Sequence, residues 1–194
     1  LWPDYGIDTG DDLIDLADSF GSTAAVTLEI GFGNGENLIS MAAGSPQQNF
    51  LGIEVHQPGL GHCLLAIKEQ QLSNVRLMRD DAVDVLQHRI PDHSLARVNL
   101  FFPDPWHKKR HHKRRIVQPP FVELLARKLC PNGIFHVATD WEGYAEHITE
   151  IMENSASFIT MDGFPPDRIK TRFDQRGSGL GHENWERSYS NCSK

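Results

Sequence analysis

Short apolar segments recur along the chain, separated by stretches with helical periodicity. The candidate strands are residues 26–30, 50–55, 75–78, 95–102 and 134–138, and apolar residues repeat at helical intervals in segments such as 60–72 and 121–129. Alternation of strands and helices is typical of a parallel sheet with crossover helices. The pattern therefore predicts a doubly wound, Rossmann-like α/β sheet with helices on both faces, in which ligands bind outside the carboxyl ends of the strands.

Prolines and small polar residues indicate where two of the helices begin. Pro119 and Pro120 fit the first turn of a helix, where a missing N–H costs little, and Pro-Asn-Gly at 131–133 predicts the end of that helix. Residues 139–140, Thr-Asp, offer a cap for a second helix over residues 141–152.

Length and composition favour one soluble domain that spans residues 1–194. The chain is 39% hydrophobic and 23% charged, and its apolar runs fall short of the roughly 20 residues that span a bilayer. Its first residues carry no secretory signal and its three cysteines stand far apart, so we expect a cytoplasmic protein without disulfides or a zinc ribbon. The chain does not begin with Met, so we also expect its start to be missing.

Positive charge is concentrated in one segment of an acidic chain. The net charge is -7, yet residues 108–115, Lys-Lys-Arg-His-His-Lys-Arg-Arg, hold six of the 19 lysines and arginines. The remainder carries 13 basic against 26 acidic residues. This asymmetry indicates a local patch directed at a polyanion, although a solvated loop without a partner has the same composition.

Gly31, Gly33 and Gly35 form a glycine-rich loop between the first strand and a helix. Glycine lets the backbone turn tightly and approach a ligand closely. A dinucleotide-binding loop would have its third glycine at position 36, but Glu36 stands there and Glu29 precedes the loop. Carboxylates repel a pyrophosphate and attract the sulfonium and ammonium groups of S-adenosylmethionine, so we expect that cofactor.

Further carboxylates follow the next two strands. Glu54 comes about 20 residues after the loop, where a carboxylate can accept hydrogen bonds from both hydroxyls of a ribose. Asp81 follows the third strand and is placed to hold the adenine end of the cofactor. Each acid has a structural alternative as a helix cap, Asp81 most of all, because Asp80 beside it offers a second carboxylate.

The fourth strand runs into Pro103-Asp104-Pro105-Trp106. The prolines stiffen the backbone around Asp104, which we expect at the same rim of the sheet as the three preceding acids. Trp106 offers an aromatic face to an unstacked base, and the cations from Lys108 onward offer contacts to phosphate. Carboxylate, aromatic ring and cations thus stand together beside the predicted methyl donor.

These motifs resemble the bacterial tRNA (guanine-N7)-methyltransferase family over about residues 2–185. The resemblance rests on Leu-Glu-Ile-Gly-Phe-Gly at 28–33, Gly-Ile-Glu-Val-His at 52–56, the whole of 101–115, Ala-Thr-Asp-Trp at 138–141 and Thr-Arg-Phe-Asp-Gln-Arg-Gly at 171–177. It implies methyl transfer from S-adenosylmethionine to N7 of a guanine in the variable loop of tRNA. It also implies that Glu29, Glu54, Asp81 and Asp104 contact the cofactor and that Asp104 is catalytic.

The same resemblance assigns the residues that face the RNA. It implies substrate binding by Lys108, Asp140, Thr171, Arg172, Phe173 and Asp174. It implies RNA binding by Arg110, His111, His112, Lys113, Arg114 and Arg115. Two departures stand out: the family has Glu where this chain has Asp174, which reaches one methylene less far, and the stretch between residues 158 and 171 is shorter here.

The chemistry of guanine N7 sets the expected role of Asp104. N7 carries a lone pair and no proton at neutral pH, so its attack on a sulfonium methyl does not require a general base. We expect Asp104 to orient the guanine by accepting hydrogen bonds from its N1–H and amino group, and to stabilise the positive charge that develops on the ring, with Asp140 as helper. Because N7 of a variable-loop guanine is engaged in tertiary contacts, we expect the base to be pulled out first.

Three alternatives stay open. An NAD-type oxidoreductase shares the fold, although Glu29 and Glu36 disfavour it. A methyltransferase that acts on another nucleic-acid nitrogen, such as adenine N6, would keep the Pro-Asp-Pro-Trp segment. A non-catalytic RNA-binding module would keep the basic run and have no need of the glycine loop.

His107, His111 and His112 lack the spacing of metal ligands, so we expect no metal. We expect no obligatory protein partner, and a monomer and a homodimer are equally compatible with the sequence.

Overall fold

The computed structural model of the chain describes residues 1–163 and 184–193. In these residues the order of elements is α1 Trp2–Tyr5, α2 Leu16–Phe20, β1 Val26–Ile30, α3 Glu36–Gly44, β2 Asn49–Ile53, α4 Gln57–Glu69, β3 Val75–Met78, α5 Ala82–His88, β4 Leu95–Phe101, a 3-10 helix Lys109–Arg114, α6 Pro119–Lys128, β5 Leu129–Thr139, α7 Glu142–Glu153, β6 Phe158–Thr160 and β7 Trp185–Asn191.

The described strands form one seven-stranded sheet in the order β3-β2-β1-β4-β5-β7-β6. Neighbouring strands from β3 to β5 pair in parallel, whereas β7 is antiparallel to both β5 and β6. The five parallel strands therefore end at one edge of the sheet, and the residues that follow them meet there. This arrangement confirms the predicted doubly wound, Rossmann-like sheet.

Helices cover the sheet on both faces. Residues from α3 and α4 pack in one hydrophobic cluster, and residues from α5, α6 and α7 pack in another. Phe50 and Leu51, adjacent in β2, belong to different clusters because successive side chains of a strand point to opposite faces. No helix among the described residues is long and apolar enough to span a bilayer.

The predicted element boundaries are accurate where apolar runs are short and sharply bounded. β1 and β3 match the predicted ranges, and α6 begins with Pro119 and Pro120. β4 ends at Phe101 rather than at Phe102, because Phe102 adopts a left-handed backbone with φ of 51°. That residue leaves the sheet just as the site begins.

Two predicted helix ends are wrong. α6 ends at Lys128, and the Pro-Asn-Gly segment at 131–133 lies within β5, where Asn132 has a φ of 64°. α7 begins only at Glu142, with Trp141 as its N-cap residue. The Thr139 hydroxyl does accept a hydrogen bond, but from the backbone N–H of Trp141 ahead of the helix.

A close approach between α4 and the glycine loop provides a test of this packing. A Cβ added to Gly59 would lie 2.1 Å from the carbonyl oxygen of Gly33, whereas one added to Gly61 would meet nothing within 4 Å. Gly59→Ala should therefore lower the free energy of unfolding by about 1–3 kcal/mol through overpacking. Gly61→Ala should raise it by about 0.5–1 kcal/mol, because Ala in a helix interior loses less entropy on folding.

Chemical denaturation of the two variants, with the unmodified chain as reference, measures this difference. Equal stability of Gly59→Ala and Gly61→Ala would contradict the close contact between α4 and the loop.

Candidate active site

The carboxyl edge of the sheet gathers the predicted site residues. Gly31 follows β1, Glu54 follows β2, Asp81 follows β3, Asp104 follows β4 and Asp140 follows β5. Because these strands run in parallel, the residues after them converge on one edge. The site therefore lies where a doubly wound sheet binds its ligands.

The glycine loop owes its shape to left-handed backbone at three positions. Gly31, Gly33 and Gly35 have φ values of 68°, 58° and 82°, a region that side chains other than glycine rarely adopt. A Cβ on Gly35 would lie 2.5 Å from Sγ of Cys63, while Gly31 and Gly33 face open space. Gly35 thus serves helix packing, and the two glycines before it leave the backbone accessible.

The thiol that packs on Gly35 is buried. Cys63 is fully buried in α4, and burial, assisted by the nearby Glu29 carboxylate, raises the pKa of its thiol to about 12. A thiol in this state is neutral and acts as a small apolar group. Cys63 therefore supports the loop sterically.

Glu54 joins the glycine loop to the end of β2. Its Oε2 accepts a hydrogen bond of 2.8 Å from the backbone N–H of Gly33, and its Oε1 accepts from the N–H groups of Val55 and His56 at 2.7 and 2.9 Å. A carboxylate offers about four acceptor positions. Glu54 can thus hold the loop in shape and still accept a further hydrogen bond from a ligand.

Glu29 lies deeper than the sequence indicated. It is the fourth residue of β1, 4% exposed, and its Oε2 accepts a hydrogen bond of 2.7 Å from the side-chain amide of Asn37 in α3. The expected position on the rim is therefore corrected to one within the strand. From there the carboxylate contributes negative potential beneath the loop rather than at its lip.

Asp81 adopts the structural role that was the alternative to ligand binding. It is the N-cap of α5, and its Oδ1 accepts hydrogen bonds from the backbone N–H groups of Val83 and Asp84. Asp80 in turn accepts from the N–H of Asp81. A cofactor contact from Asp81 would use its second oxygen.

The backbone around Asp104 is held in an unusual conformation. Phe102 and Trp106, on either side of the Pro-Asp-Pro segment, have φ values of 51° and 48°, which are rare for non-glycine residues. The N–H of Phe102 donates to the carbonyl of Ala138 in β5 at 2.8 Å, which anchors the first of them. Asp104 itself is exposed at the apex between the prolines.

A cavity of about 300 Å³ opens beside Asp104, lined by Asp104, Pro105, Trp106, His107, Lys108 and His111. The structure thereby brings the predicted catalytic carboxylate together with one predicted substrate-binding residue and one predicted RNA-binding residue. The edge of the Trp106 ring system meets His111 at a centroid distance of 5.9 Å, and the guanidinium of Arg114 lies 5.0 Å from the Trp106 ring centroid. Trp106 is thus partly covered by its own loop.

Asp140 is linked to this loop through the residue that follows it. The ring of His107 packs edge-on against Trp141 at a centroid distance of 4.2 Å. Asp140 begins the turn between β5 and α7 and is partly buried. The contact between His107 and Trp141 therefore holds the β4–α6 loop, residues 102–118, against the turn that carries Asp140.

The basic run forms the 3-10 helix and divides into exposed and buried members. Arg110, Lys113 and Arg114 are exposed, and His111 and His112 are partly buried. Arg115 is only 3% exposed, and its guanidinium hydrogen-bonds to the carbonyl oxygens of Pro105 and Gly143. This placement does not favour the predicted RNA contact of Arg115, because its guanidinium is buried and already donates to carbonyl oxygens of the protein.

Several residues that organise the loop were not predicted. Tyr144 and His147 of α7 contact residues 115–117, as described below. Their helical spacing in the sequence indicated only a packed helix face.

Four of the predicted substrate-binding residues, Thr171, Arg172, Phe173 and Asp174, lie outside the described residues. Within residues 1–163 and 184–193, no group of three His, Cys, Asp or Glu side chains is placed to hold a metal ion.

The chain is similar to known methyltransferases. A family described as "Putative methyltransferase" matches residues 23–187. The chain is 54% identical to a tRNA (guanine-N(7)-)-methyltransferase of Sodalis glossinidius (strain morsitans) over 192 residues, which cover 96% of this chain and 80% of the relative. It is 53% identical to the protein of the same name from Vibrio parahaemolyticus serotype O3:K6, over 97% of this chain and 82% of that relative.

Solved structures share the fold at low sequence identity. The aminoglycoside resistance methyltransferase NpmB1 superposes with a TM-score of 0.65 at 14% identity and covers 92% of this chain and 94% of its own. An rRNA methylase from Streptococcus thermophilus superposes with a TM-score of 0.59 at 13% identity, over 88% of this chain and 89% of its own. These similarities concern the sheet and its helices.

Proposed function

The chain belongs to the bacterial tRNA (guanine-N7)-methyltransferase family, and from this we propose that it methylates N7 of a guanine in the variable loop of tRNA, with S-adenosylmethionine as methyl donor. The observation that carries the proposal is the cavity beside Asp104. Its lining combines a carboxylate, an aromatic ring and a cation at the carboxyl edge of the sheet. The carboxylate can stabilise positive charge on a nucleobase, the ring can stack on the base, and the cation can contact a phosphate.

The residues at the glycine loop fit S-adenosylmethionine. The open space beside Gly31 and Gly33 admits a ligand against the backbone, and the buried Glu29 favours the cationic sulfonium and ammonium groups. We assign the ribose hydroxyls to Glu54 and the adenine end to Asp81. When bound, the cofactor supplies an electrophilic methyl carbon that the N7 lone pair attacks, while the carbon–sulfur bonding pair returns to sulfur.

Asp104 orients the guanine and stabilises its charge. N7 has no proton to lose, so a carboxylate is not needed there as a base. It accepts hydrogen bonds from N1–H and the amino group of the base and faces the positive charge that the ring gains on methylation. The strained backbone on both sides of Asp104 fixes the direction of the carboxylate before the substrate arrives. Asp140, Lys108 and residues 171–174 complete the substrate contacts in this proposal.

The exposed cations of the 3-10 helix hold the RNA backbone while the base leaves its tertiary contacts. Arg110, Lys113 and Arg114 stand on the solvent side of the loop that carries Asp104. A polyanion bound there places its bases next to the cavity. The acidic remainder of the chain repels the same polyanion, which restricts the orientation in which tRNA binds.

Product analysis tests the proposed function directly. Incubation of the protein with methyl-labelled S-adenosylmethionine and unmodified tRNA should yield 7-methylguanosine on nuclease digestion. Asp104→Ala should lower turnover by about 10²–10³-fold, the usual cost of removing a preorganised electrostatic group. Its unfolding temperature should change little, because the side chain is exposed. Formation of a different methylated nucleoside, or normal turnover by Asp104→Ala, would contradict the proposal.

The role of Glu54 is testable by cofactor binding alone. In Glu54→Gln one oxygen becomes an amide nitrogen, which cannot accept a hydrogen bond from Gly33 or from a ribose hydroxyl. The Kd for S-adenosylmethionine, measured by calorimetry, should rise about tenfold, as expected for the loss of a hydrogen bond to a charged group. Glu69→Gln, exposed at the far end of α4, is the matched control and should leave the Kd unchanged. A twofold effect or less in Glu54→Gln would remove Glu54 from the cofactor site.

The salt dependence of the KM for tRNA tests the RNA-binding surface. Arg110→Ala and Lys113→Ala should each raise the KM and reduce the slope of log KM against log salt concentration by about 1, because each contact to phosphate releases about one counterion. Lys68→Ala, a solvent-exposed cation in the last turn of α4, should not alter the slope. An unchanged slope in both loop variants would place the RNA elsewhere on the surface.

A further inference from the structure

Arg115 closes the base of the loop that carries Asp104. Its Nε donates a hydrogen bond of 2.9 Å to the carbonyl oxygen of Pro105, ten residues earlier, so the two ends of the basic loop are tied together. Nη1 donates to the carbonyl oxygen of Gly143 in α7 at 2.9 Å, and Nη2 lies 3.2 Å from Nε2 of His112. One guanidinium thus connects the loop to itself and to the helix beside it.

The segment after Arg115 is docked on α7 through further contacts. The guanidinium carbon of Arg115 lies 4.7 Å from the centroid of the Tyr144 ring, which is fully buried. The Tyr144 hydroxyl accepts from the N–H of Val117 at 3.2 Å, and Nε2 of His147 donates to the carbonyl oxygen of Val117 at 2.8 Å. Residues 115–117 are therefore fixed on α7 at both side chain and backbone.

These contacts act on the peptide next to the proposed catalytic residue. The Pro105 carbonyl belongs to the peptide group that joins Pro105 to Trp106, whose φ of 48° is held against its intrinsic preference. Asp104 directly precedes Pro105, the first residue of this peptide group. On the other side, Gly143 stands three residues after Asp140, in the first turn of α7. Arg115 thereby spans the two chain segments that present Asp104 and Asp140.

Burial distinguishes Arg115 from the other cations of the run. A cation that serves RNA binding has to face solvent, as Arg110 and Lys113 do, whereas Arg115 is 3% exposed. Burial lowers the pKa of Arg115, because removal from water disfavours the charged form of the guanidinium. The cation is therefore held here against a desolvation free energy. The planar fork of arginine reaches the Pro105 and Gly143 carbonyls together, which the single ammonium of lysine cannot do in the same geometry.

We propose that Arg115 is a positioning residue for methyl transfer: it binds no RNA and holds Asp104 at a fixed place relative to Asp140 by joining the β4–α6 loop to α7. The proposal rests on the function proposed above. Removing the fork should loosen the loop, and a displacement of about 1 Å at a reacting group costs on the order of 100-fold in rate.

Arg115→Lys tests the proposal, and Arg76→Lys is a matched control. Arg76 in β3 likewise donates to backbone carbonyl oxygens, those of Ser19, Ser73 and Val75, and also lies over an aromatic ring, at 5.3 Å from the Phe20 centroid. Arg115→Lys should lower kcat for tRNA methylation about tenfold or more. Its KM for tRNA, its salt slope and its Kd for S-adenosylmethionine should stay within about twofold of the unmodified chain, while Arg76→Lys should keep its kcat.

Hydrogen exchange provides a readout that does not depend on the reaction. In the protein without RNA, backbone amides of residues 102–108 should exchange faster in Arg115→Lys than in the unmodified chain and remain unchanged in Arg76→Lys. Failure of the unmodified chain to produce 7-methylguanosine would refute the proposed function and leave this measurement intact. Tyr144→Phe, which keeps the ring and removes the acceptor for Val117, is a milder second variant and should change exchange and kcat in the same direction.

Three results would overturn the proposal. A salt slope reduced by about 1 in Arg115→Lys would show a direct phosphate contact. An equal loss of kcat in Arg115→Lys and Arg76→Lys would show a general effect on stability. Unchanged exchange at 102–108 in both Arg115→Lys and Tyr144→Phe would show that the loop does not depend on α7 for its position.

Discussion

The parallel pairing of β1 with a neighbour on each side is the constraint on which the site depends. β2 lies on one side of β1 and β4 on the other, so the connections from these strands leave toward opposite faces of the sheet. The glycine loop after β1 and the Asp104 loop after β4 therefore flank the position at which doubly wound sheets bind their ligands. The hydrogen bond between Gly33 and Glu54 holds the glycine loop in place, and the contacts of the β4–α6 loop with α7 hold the Asp104 loop in place. The two loops at this edge of the sheet are thus held in place by separate sets of contacts.

Much of this arrangement could be predicted because parallel strands that are buried on both faces are rich in apolar residues in the sequence. In β1 and β3 apolar residues alternate with single polar ones, and the bounds of both strands were predicted correctly. The acids at the carboxyl edge followed from the ends of those strands. The depth of Glu29 did not follow, because the sequence does not reveal that helix α3 covers its face of the sheet, and Glu29 proved to be buried within β1.

The remaining features depend on contacts between distant parts of the chain. β7 was not predicted because two of its fully or almost fully buried positions are occupied by Ser188 and Asn191, whose polarity resembles that of a loop. Asn191 is buried because its amide reaches the carbonyls of Ala126 and Leu129, more than 60 residues away. In the same way Arg115 is one more cation in a basic run until Gly143 and Tyr144 are brought beside it. Arg115 differs from Lys113 in its tertiary contacts, and the local sequence does not reveal these contacts.

The burial of Cys63 under the glycine loop also bears on the oxidative chemistry of the protein. Because burial raises the pKa of Cys63 to about 12, its thiol stays protonated at neutral pH, and the thiolate is the species that attacks peroxides and disulfides. Oxidation to a sulfenic acid would add an oxygen where the thiol already touches Gly35, so the loop would have to move. The same packing that shapes the glycine loop therefore also makes the thiol beneath it resistant to oxidation.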